Sequence, residues 1–315
     1  MKWRVLVSAP YFIPVIEEWR PQLAAKGIEL ITANVKERLS EAELLEVIPD
    51  IDGIICGDDR ITRRVLESAP RLKVISKWGT GIDSIDSEAA AQREIPVYRT
   101  PNAFSEPVAD TVLGYMLTFA RKLPWMDRDI RAGQWEKPPL VSLLECTLGV
   151  IGVGDCGKAV VRRARAFGMR LMGNDPLKPP DDFLSETGIE MVPLEELLTA
   201  ADFVSLNPDL NPTSFHLINQ NRLQMMKPGA YLINASRGPV VEEPALVEAL
   251  QQGQIAGAAL DVFEDEPLPA DSPLRTMENC LLAPHNANSS PLAWQRVHEN
   301  TVRNLLKGFQ QAEEG

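Results

Sequence analysis

A glycine-rich stretch contains the first residues whose spacing suggests chemistry. Residues 152–157 read Gly-Val-Gly-Asp-Cys-Gly, a complete G-x-G-x-x-G between an apolar run and a segment with helical spacing. Gly152 permits a tight turn, Gly154 lets the backbone approach a pyrophosphate, and Gly157 lets helix and strand pack closely. The N–H groups at the start of the helix favour an anion. The stretch therefore predicts dinucleotide binding; the alternative is an ordinary strand–helix turn.

Two further residues near these glycines bear on the cofactor. Asp175 ends the next predicted strand, where an acidic side chain receives the adenosine ribose hydroxyls. This carboxylate would repel a 2′-phosphate and no arginine follows directly, so NAD is predicted rather than NADP. Cys156 lies near a helix N-terminus, where the dipole favours the thiolate. One hypothesis is that it alkylates faster than the other cysteines and that bound NAD protects it; the alternative, which we favour, is a small residue that only fits the turn.

Three polar side chains follow predicted strands further along the chain. Arg237 follows one strand, an acidic run that includes Glu266 follows the next, and His285 follows the last. Ligands bind beyond the carboxyl ends of parallel strands, so these side chains are expected to meet there. Together they indicate a site that reduces a carbonyl group. The guanidinium would bind a substrate carboxylate, the imidazole would transfer a proton, and the acidic side chain would support the imidazole. Taken singly, each of these side chains could instead form a surface ion pair or a helix cap. The other two histidines, His216 and His298, are predicted to be structural.

Several segments resemble a known family. N-A-S-R-G, D-V-F-E-x-E-P and P-H, in that order after the glycines, resemble the D-isomer specific 2-hydroxyacid dehydrogenases, especially the phosphoglycerate dehydrogenase-like branch. W-G-T-G-I-D and T-P-N-A-F-S-E-P-V-A-D also resemble family segments. The resemblance implies two doubly wound parallel-sheet α/β domains separated by a cleft. Residues 1–100 and 288–315 would form a flavodoxin-like substrate domain, and residues 101–287 a Rossmann NAD domain.

The resemblance also implies residue roles. Arg237 would bind the substrate carboxylate and carbonyl, His285 would be the acid/base, and Glu266 would be its partner. Asp261 would hold the nicotinamide carboxamide. The predicted NAD-binding residues are Gly152, Gly154, Asp155, Cys156, Gly157, Asp175, Asn207, Ala235, Arg237, Asp261 and His285. The predicted substrate-binding residues are Lys77, Thr80, Gly81, Asn102 and Arg237, the amides of Thr80 and Gly81 taking the carboxylate. No metal site is predicted.

These roles are chemically consistent. A carboxylate beside an imidazole favours the protonated ring, which can protonate a forming alkoxide. The two-pronged guanidinium of Arg237 suits a carboxylate and a developing negative oxygen.

The chain departs from the family pattern at two places. Asn207 begins an Asn-Pro-Asp run where the family usually has His-x-Pro. Gly57, Asp58 and Asp59 occupy the place of an expected basic residue, so hydroxypyruvate or glyoxylate is predicted over a phosphorylated substrate.

The elements that position these residues follow from apolar runs that alternate with helical patterns. Residues 3–100 give five predicted strands with helical crossovers, which indicates a small parallel α/β domain. A long apolar helix is predicted over 104–122, and the Trp- and Pro-rich stretch 123–140 is a candidate subunit contact. Strand–helix alternation resumes after residue 147, and a final helix over 291–309 is expected to return to the first domain.

The loop over residues 77–83 is a candidate anion site in the first domain. Its sequence, Lys-Trp-Gly-Thr-Gly-Ile-Asp, places two glycines around Thr80, so that backbone N–H groups can converge on a carboxylate. The alternative is a plain strand-to-helix connection.

Composition excludes several classes of protein. The 315 residues are 44% hydrophobic and 24% charged, which is typical of a globular protein of two domains. A net charge of −12 argues against nucleic-acid or anionic-membrane partners, and neither a signal peptide nor a membrane-length apolar run is evident. The four cysteines show neither C-x-x-C spacing nor a disulfide pattern, which is typical of a protein in the reducing cytoplasm. The family resemblance implies a homodimer. The alternative to an enzyme is an NAD-sensing binding protein on the same fold, such as a corepressor.

Overall fold

The computed structural model of the protein describes residues 2–314. They divide into two compact units. The first unit contains the chain up to Phe104 together with the segment from Ser290 onward, and the second unit contains Ser105–Ser289. The division into substrate and NAD domains at residues 100 and 287 stays a prediction.

The first unit opens with five strands joined by helical crossovers. The strands are β1 (Trp3–Val7), β2 (Ile28–Thr32), β3 (Gly53–Cys56), β4 (Val74–Lys77) and β5 (Val97–Tyr98). The helices between them are α1 (Ile16–Ala24), α2 (Glu41–Val47), α3 (Arg63–Glu67) and α4 (Ser87–Gln92). The strands pair in parallel in the order β2-β1-β3-β4-β5, which is the flavodoxin-like order.

The second unit begins with two helices and continues in strand–helix alternation. Its helices are α5 (Ser105–Arg121), α6 (Leu123–Arg131), α7 (Asp155–Ala166), α8 (Asp181–Thr187), α9 (Leu194–Ala200), α10 (Gln220–Met225) and α11 (Glu243–Gln251). Its strands are β6 (Thr147–Ile151), β7 (Arg170–Asn174), β8 (Glu190–Met191), β9 (Phe203–Leu206), β10 (Tyr231–Asn234), β11 (Gly257–Leu260) and β12 (Cys280–Leu282). The chain then returns to the first unit in α12 (Pro291–Glu314). Short 3₁₀ helices are Ile13–Val15, Ile48–Asp50, Leu143–Glu145, Gly238–Val240 and Pro273–Thr276.

The sheet of the second unit is wholly parallel, with the order β12-β11-β10-β9-β6-β7-β8. From the β8 edge as far as β11 the strands follow the Rossmann order, and β12 is added beyond β11. The chain order reverses between β6 and β9, where ligands bind in such sheets. The prediction of two doubly wound parallel sheets is thereby confirmed.

Side chains on both faces of this sheet explain why the helices form where they do. One buried cluster includes Leu197 of α9 and Leu246 of α11. The other includes Val112 and Met116 of α5 and Val160 of α7. The apolar α5 is thus buried in the core of its own unit, one of the two alternatives for a helix apolar on more than one face.

The structure adds two helices that the sequence analysis did not identify. The stretch after α5 contains α6, and its proline lies in the first turn, where a missing N–H costs no hydrogen bond. Lys122, with a left-handed φ of 49°, separates α6 from α5. Helix α8 begins with two acidic residues and ends at Gly188, whose φ of 68° suits glycine.

The final helix covers the first unit, as predicted. A Cβ on Gly308 of α12 would lie 2.3 Å from Val74 of β4, and one on Gly53 of β3 would lie 2.7 Å from Phe309. Glycine on each element therefore lets helix and sheet approach closely. Among the described residues, no helix is long and apolar enough to cross a membrane.

Candidate active site

The glycine-rich turn joins β6 to α7, and close contacts require two of its glycines. Gly152 has a φ of +83°, and a Cβ there would lie 2.7 Å from the backbone of Asn207. A Cβ on Gly157 would lie 2.0 Å from the carbonyl oxygen of Gly152. Gly154 instead faces open space, since a Cβ there would meet no other atom within 4 Å. A diphosphate can therefore approach the backbone at Gly154, beside the first turn of α7 where exposed Asp155 lies.

The reactive thiolate expected at Cys156 is not supported. Burial raises the pKa of the Cys156 thiol, and the contact between its Sγ and Ser105 Oγ at 3.8 Å opposes that rise only in part. The sequence argument considered the helix dipole but not the cost of placing a thiolate among packed atoms. The position thus fits the alternative of a small residue that fills the turn.

Two polar side chains beside the turn fit a dinucleotide. Asp175 follows β7, and its carboxylate accepts hydrogen bonds from the N–H of Val153 and of Leu177, both at 2.7 Å. Asn207 follows β9 and donates to the carbonyl oxygen of Ser205 at 3.2 Å. Its own Oδ1 is buried and accepts no hydrogen bond within residues 2–314. Since a buried acceptor without a donor is unfavourable, a hydroxyl of a bound nucleotide would satisfy it.

Arg237 leaves β10 in a turn that a buried amide fixes. Asn234, only 1% exposed, donates from Nδ2 to the Arg237 carbonyl oxygen at 2.9 Å and accepts from the N–H of Ser236 at 3.1 Å. A Cβ on Gly238 would lie 1.8 Å from the carbonyl oxygen of Phe263. The Arg237 turn therefore packs directly on the loop after β11. Sequence reasoning assigned no role to Asn234, although a polar residue ending an apolar strand was a usable signal; predicted Ala235 lies half-buried in the same turn.

The structure brings Glu266 and His285 together. Glu266 Oε2 lies 2.9 Å from His285 Nδ1, and the two side chains are 24% and 29% exposed. The other carboxylate oxygen of Glu266 accepts from the N–H of Phe263 at 3.1 Å. Because Nδ1 faces the carboxylate, Nε2 is the ring nitrogen that can exchange a proton with a substrate.

Asp261 has a task that the sequence analysis did not assign to it. It is 1% exposed, and its two carboxylate oxygens accept from the N–H of Asn286 and of Ala287, both at 2.9 Å. Its carbonyl oxygen accepts from the N–H of His285 at 2.7 Å. His285 has a left-handed φ of 50°, which costs a non-glycine residue energy. Asp261 therefore holds the strained turn that presents the imidazole. Its contact with the nicotinamide carboxamide stays a prediction.

A second imidazole–carboxylate pair lies in the same unit. His216 Nε2 is 2.7 Å from Glu264 Oε1, and that oxygen also accepts from the N–H of Glu243 at 3.2 Å. These contacts anchor the acidic loop two residues before Glu266. The predicted structural role of His216 agrees with this placement.

In the first unit, the loop after β4 presents backbone N–H groups. Gly79 has a φ of +121°, and its carbonyl oxygen accepts from the N–H of Thr100 at 2.8 Å. Thr80 Oγ1 donates to the Thr100 carbonyl oxygen at 2.9 Å. Across the described chain, the N–H groups of Thr80 and Gly81 donate to no acceptor. A pair of unsatisfied amides beside a fixed turn can receive a carboxylate. Asn102, also predicted to bind substrate, is exposed with a left-handed φ of 51°.

The Lys77 ammonium has partners within its own unit, and its contact with substrate stays a prediction. Its side chain is 4% exposed, and Nζ donates to the Gly57 carbonyl oxygen and to Asp58 Oδ1, both at 2.6 Å. Parallel pairing of β3 with β4 places Lys77 beside Asp58, whose carboxylate compensates the positive charge of the ammonium.

The neighbouring Asp59 is a buried anchor for three loops. It accepts from Ser8 Oγ and the Leu39 N–H, both at 2.6 Å, and from the Gly57 N–H at 3.1 Å. Burial raises the pKa of the Asp59 carboxyl, and these hydrogen bonds oppose the rise. Asp58 therefore remains the half-exposed carboxylate at this edge of the sheet.

Comparison with known proteins gives a family and several relatives. The family described as "D-isomer specific 2-hydroxyacid dehydrogenase, NAD binding domain" matches residues 113–287. A glyoxylate reductase of Korarchaeum cryptofilum is 40% identical over 274 residues, covering 85% of this chain and 82% of the relative. A D-3-phosphoglycerate dehydrogenase of Methanocaldococcus jannaschii is 41% identical over 315 residues, covering 97% of this chain. The present chain spans only 58% of the length of that second relative.

A solved structure extends the similarity to the whole fold. The D-lactate dehydrogenase of Aquifex aeolicus, in complex with NAD and lactic acid, matches with a TM-score of 0.86 at 29% sequence identity. The match covers 98% of this chain and 96% of the other.

Proposed function

Because this chain belongs to the D-isomer specific 2-hydroxyacid dehydrogenases, we propose that it transfers a hydride between NAD(H) and a small 2-oxoacid or D-2-hydroxyacid. Glyoxylate and hydroxypyruvate are the substrates we favour. The observation that carries the proposal is the Glu266–His285 pair, at 2.9 Å, on the sheet whose glycine turn fits a dinucleotide. That pair supplies a proton donor at the sheet edge where ligands bind.

The reaction assigns one task to each side chain. Bound NADH supplies the hydride. Protonated His285 donates its Nε2 proton to the carbonyl oxygen of the substrate, and Glu266 stabilises the charged ring before transfer. The Arg237 guanidinium stabilises the negative charge that develops on this oxygen and orients the acid. In oxidation, neutral His285 accepts the hydroxyl proton. The Thr80 and Gly81 amides are assigned to the substrate carboxylate.

A steady-state assay tests this function. Oxidation of NADH is followed with glyoxylate, hydroxypyruvate, 3-phosphohydroxypyruvate and pyruvate, each at several concentrations. We expect turnover with at least one unphosphorylated acid. Tight NADH binding without turnover of any acid would instead favour an NAD-sensing binding protein on this fold.

Cofactor preference gives a first prediction. Asp175→Asn should narrow the preference for NADH over NADPH about tenfold, since it removes the charge that repels a 2′-phosphate and weakens the contact with the ribose hydroxyls. Asparagine retains an oxygen for the N–H of Val153 or Leu177. Dissociation constants of both cofactors measure the effect, and exposed Asp271→Asn is the control. A wild type that prefers NADPH would contradict this role of Asp175.

We further propose that the protein is a cytoplasmic homodimer. The cytoplasm is favoured by four free cysteines, at positions 56, 146, 156 and 280. The dimer is favoured by exposed apolar side chains concentrated in one stretch of the second unit: Leu123, Ile130, Trp135, Val141 and Leu144. A concentration of exposed apolar side chains marks an interaction site, and a two-fold dimer buries the same patch on both copies.

The dimer gives a second prediction. Trp135, which is 78% exposed, should be central to the contact, so Trp135→Glu should shift the protein from dimer to monomer. Light scattering after size-exclusion chromatography measures the mass. Leu177→Glu is the matched control, because Leu177 is equally exposed at 79% but lies outside the stretch. A monomeric wild type, or an equal effect of both substitutions, would contradict the proposed interface.

A further inference from the structure

The turn after β4 is tied to the terminal helix α12 by a buried imidazole. Trp78 Nε1 donates to His298 Nδ1 at 2.9 Å, and the two residues are 4% and 8% exposed. Because Nδ1 accepts this bond, the ring is neutral and carries its proton on Nε2. Burial lowers the pKa of His298, which keeps the ring in that neutral, accepting form.

Trp78 immediately precedes the turn that contains the two amides assigned to the substrate carboxylate. Its indole packs in a cluster of aromatic rings, with centroids 5.1 Å from Tyr11, 5.6 Å from Phe104 and 6.3 Å from Trp294. These rings contact the faces and edges of the indole, and among residues 2–314 only His298 accepts from its N–H. The hydrogen bond to the imidazole therefore fixes the orientation of the indole within this cluster of aromatic rings.

Other contacts of α12 fix the two ends of the same turn. Ser76 Oγ, just before the turn, donates to the carbonyl oxygen of Thr301 at 2.8 Å. Asn300 Nδ2 donates to Thr100 Oγ1 at 3.3 Å, and Thr100 is the residue whose backbone holds Gly79 and Thr80. Helix α12 thus contacts both the strand before the amides and the segment that is hydrogen-bonded to their turn.

We propose that His298 is a positioning residue for substrate binding, which fixes the Trp78 indole and so holds the Thr80 and Gly81 amides in the geometry that receives the carboxylate. The inference rests on the proposed function. An acceptor lost at His298 leaves a buried indole N–H unsatisfied, and the indole turns to find another partner. Any such turn moves the backbone that leads directly into the amides. The chemistry at His285 is unaffected, so the effect is on binding.

Two substitutions separate positioning from simple packing. His298→Leu keeps the volume but removes the acceptor, whereas His298→Gln supplies a side-chain oxygen that can accept from the indole. We expect His298→Leu to raise KM for glyoxylate about tenfold, with kcat within about twofold and NADH affinity unchanged. His298→Gln should restore most of the wild-type KM.

A matched control accounts for lost stability. Val302→Ala truncates a buried side chain of the same helix, 4% exposed, and leaves the acceptor of the Trp78 N–H in place. It should lower Tm but leave KM unchanged. A His298→Leu enzyme whose KM rises no more than that of Val302→Ala, or a His298→Gln enzyme without recovery, would overturn the inference while the proposed function stands. A wild type inactive with every 2-oxoacid would overturn both.

Discussion

His285→Asn should lower kcat for 2-oxoacid reduction by about 10²–10⁴-fold, roughly 3–5 kcal/mol, because it removes the positioned proton donor. Asparagine is the preferred replacement since His285 has a φ of 50°, and Asn adopts left-handed backbone more readily than most residues. NADH should still bind, because the glycine turn and Asp175 are untouched. Single-turnover and steady-state rates, with NADH affinity measured separately, check the prediction.

His285→Ala serves as a second variant. It removes the same imidazole but disfavours the left-handed backbone, so a larger loss than in His285→Asn would measure the cost of disturbing the turn that Asp261 holds. Near wild-type turnover in His285→Asn would exclude His285 as the acid/base.

The partner carboxylate has a distinct signature. Glu266→Gln should move the midpoint of the pH–rate profile for reduction to lower pH, because reduction needs the protonated ring. A neutral amide no longer stabilises that form, so the ring loses its proton at lower pH. The profile of kcat against pH, compared with wild type in the same buffers, measures this shift.

The second large effect concerns the far end of the substrate. The wild type should favour hydroxypyruvate over 3-phosphohydroxypyruvate by at least about tenfold in kcat/KM, since a phosphate needs an available cation. Lys77 was one candidate from sequence, together with Arg60 and Lys137, but it is 4% exposed and bonded to Asp58. Asp58 is 48% exposed and would repel a phosphate that approached Lys77. The comparison is made at matched ionic strength.

Removal of that acid tests the cause. Asp58→Asn should narrow the ratio between the two substrates, whereas Asp50→Asn, an exposed acid in the same unit, should leave it unchanged. A tenfold advantage of the phosphate ester in wild type would contradict the prediction and favour a phosphoglycerate dehydrogenase.

What the sequence determined by itself was local or periodic. The six residues from Gly152 to Gly157 and the strand that delivers Asp175 are nearly contiguous, so spacing alone predicted the turn and the acid beside it. Apolar runs that alternate with helical patterns predicted two parallel sheets. The helices that join parallel strands cover both faces of the sheet, so its strands are apolar throughout. His285 was identified by its type and by its position after a predicted strand, whereas the family resemblance singled out Glu266 within its acidic run.

Tertiary structure decided which charged groups hold the protein together. The sequence assigned Asp261 to the cofactor, and the structure adds that its oxygens accept from the amides after His285. The sequence assigned Lys77 to substrate, and the structure adds that parallel pairing of two strands places it against Asp58. Burial of Cys156 likewise opposed the thiolate that its helix position suggested. In each case the deciding partner lies on another loop or in the packed interior, and neither distance nor desolvation is encoded in local spacing.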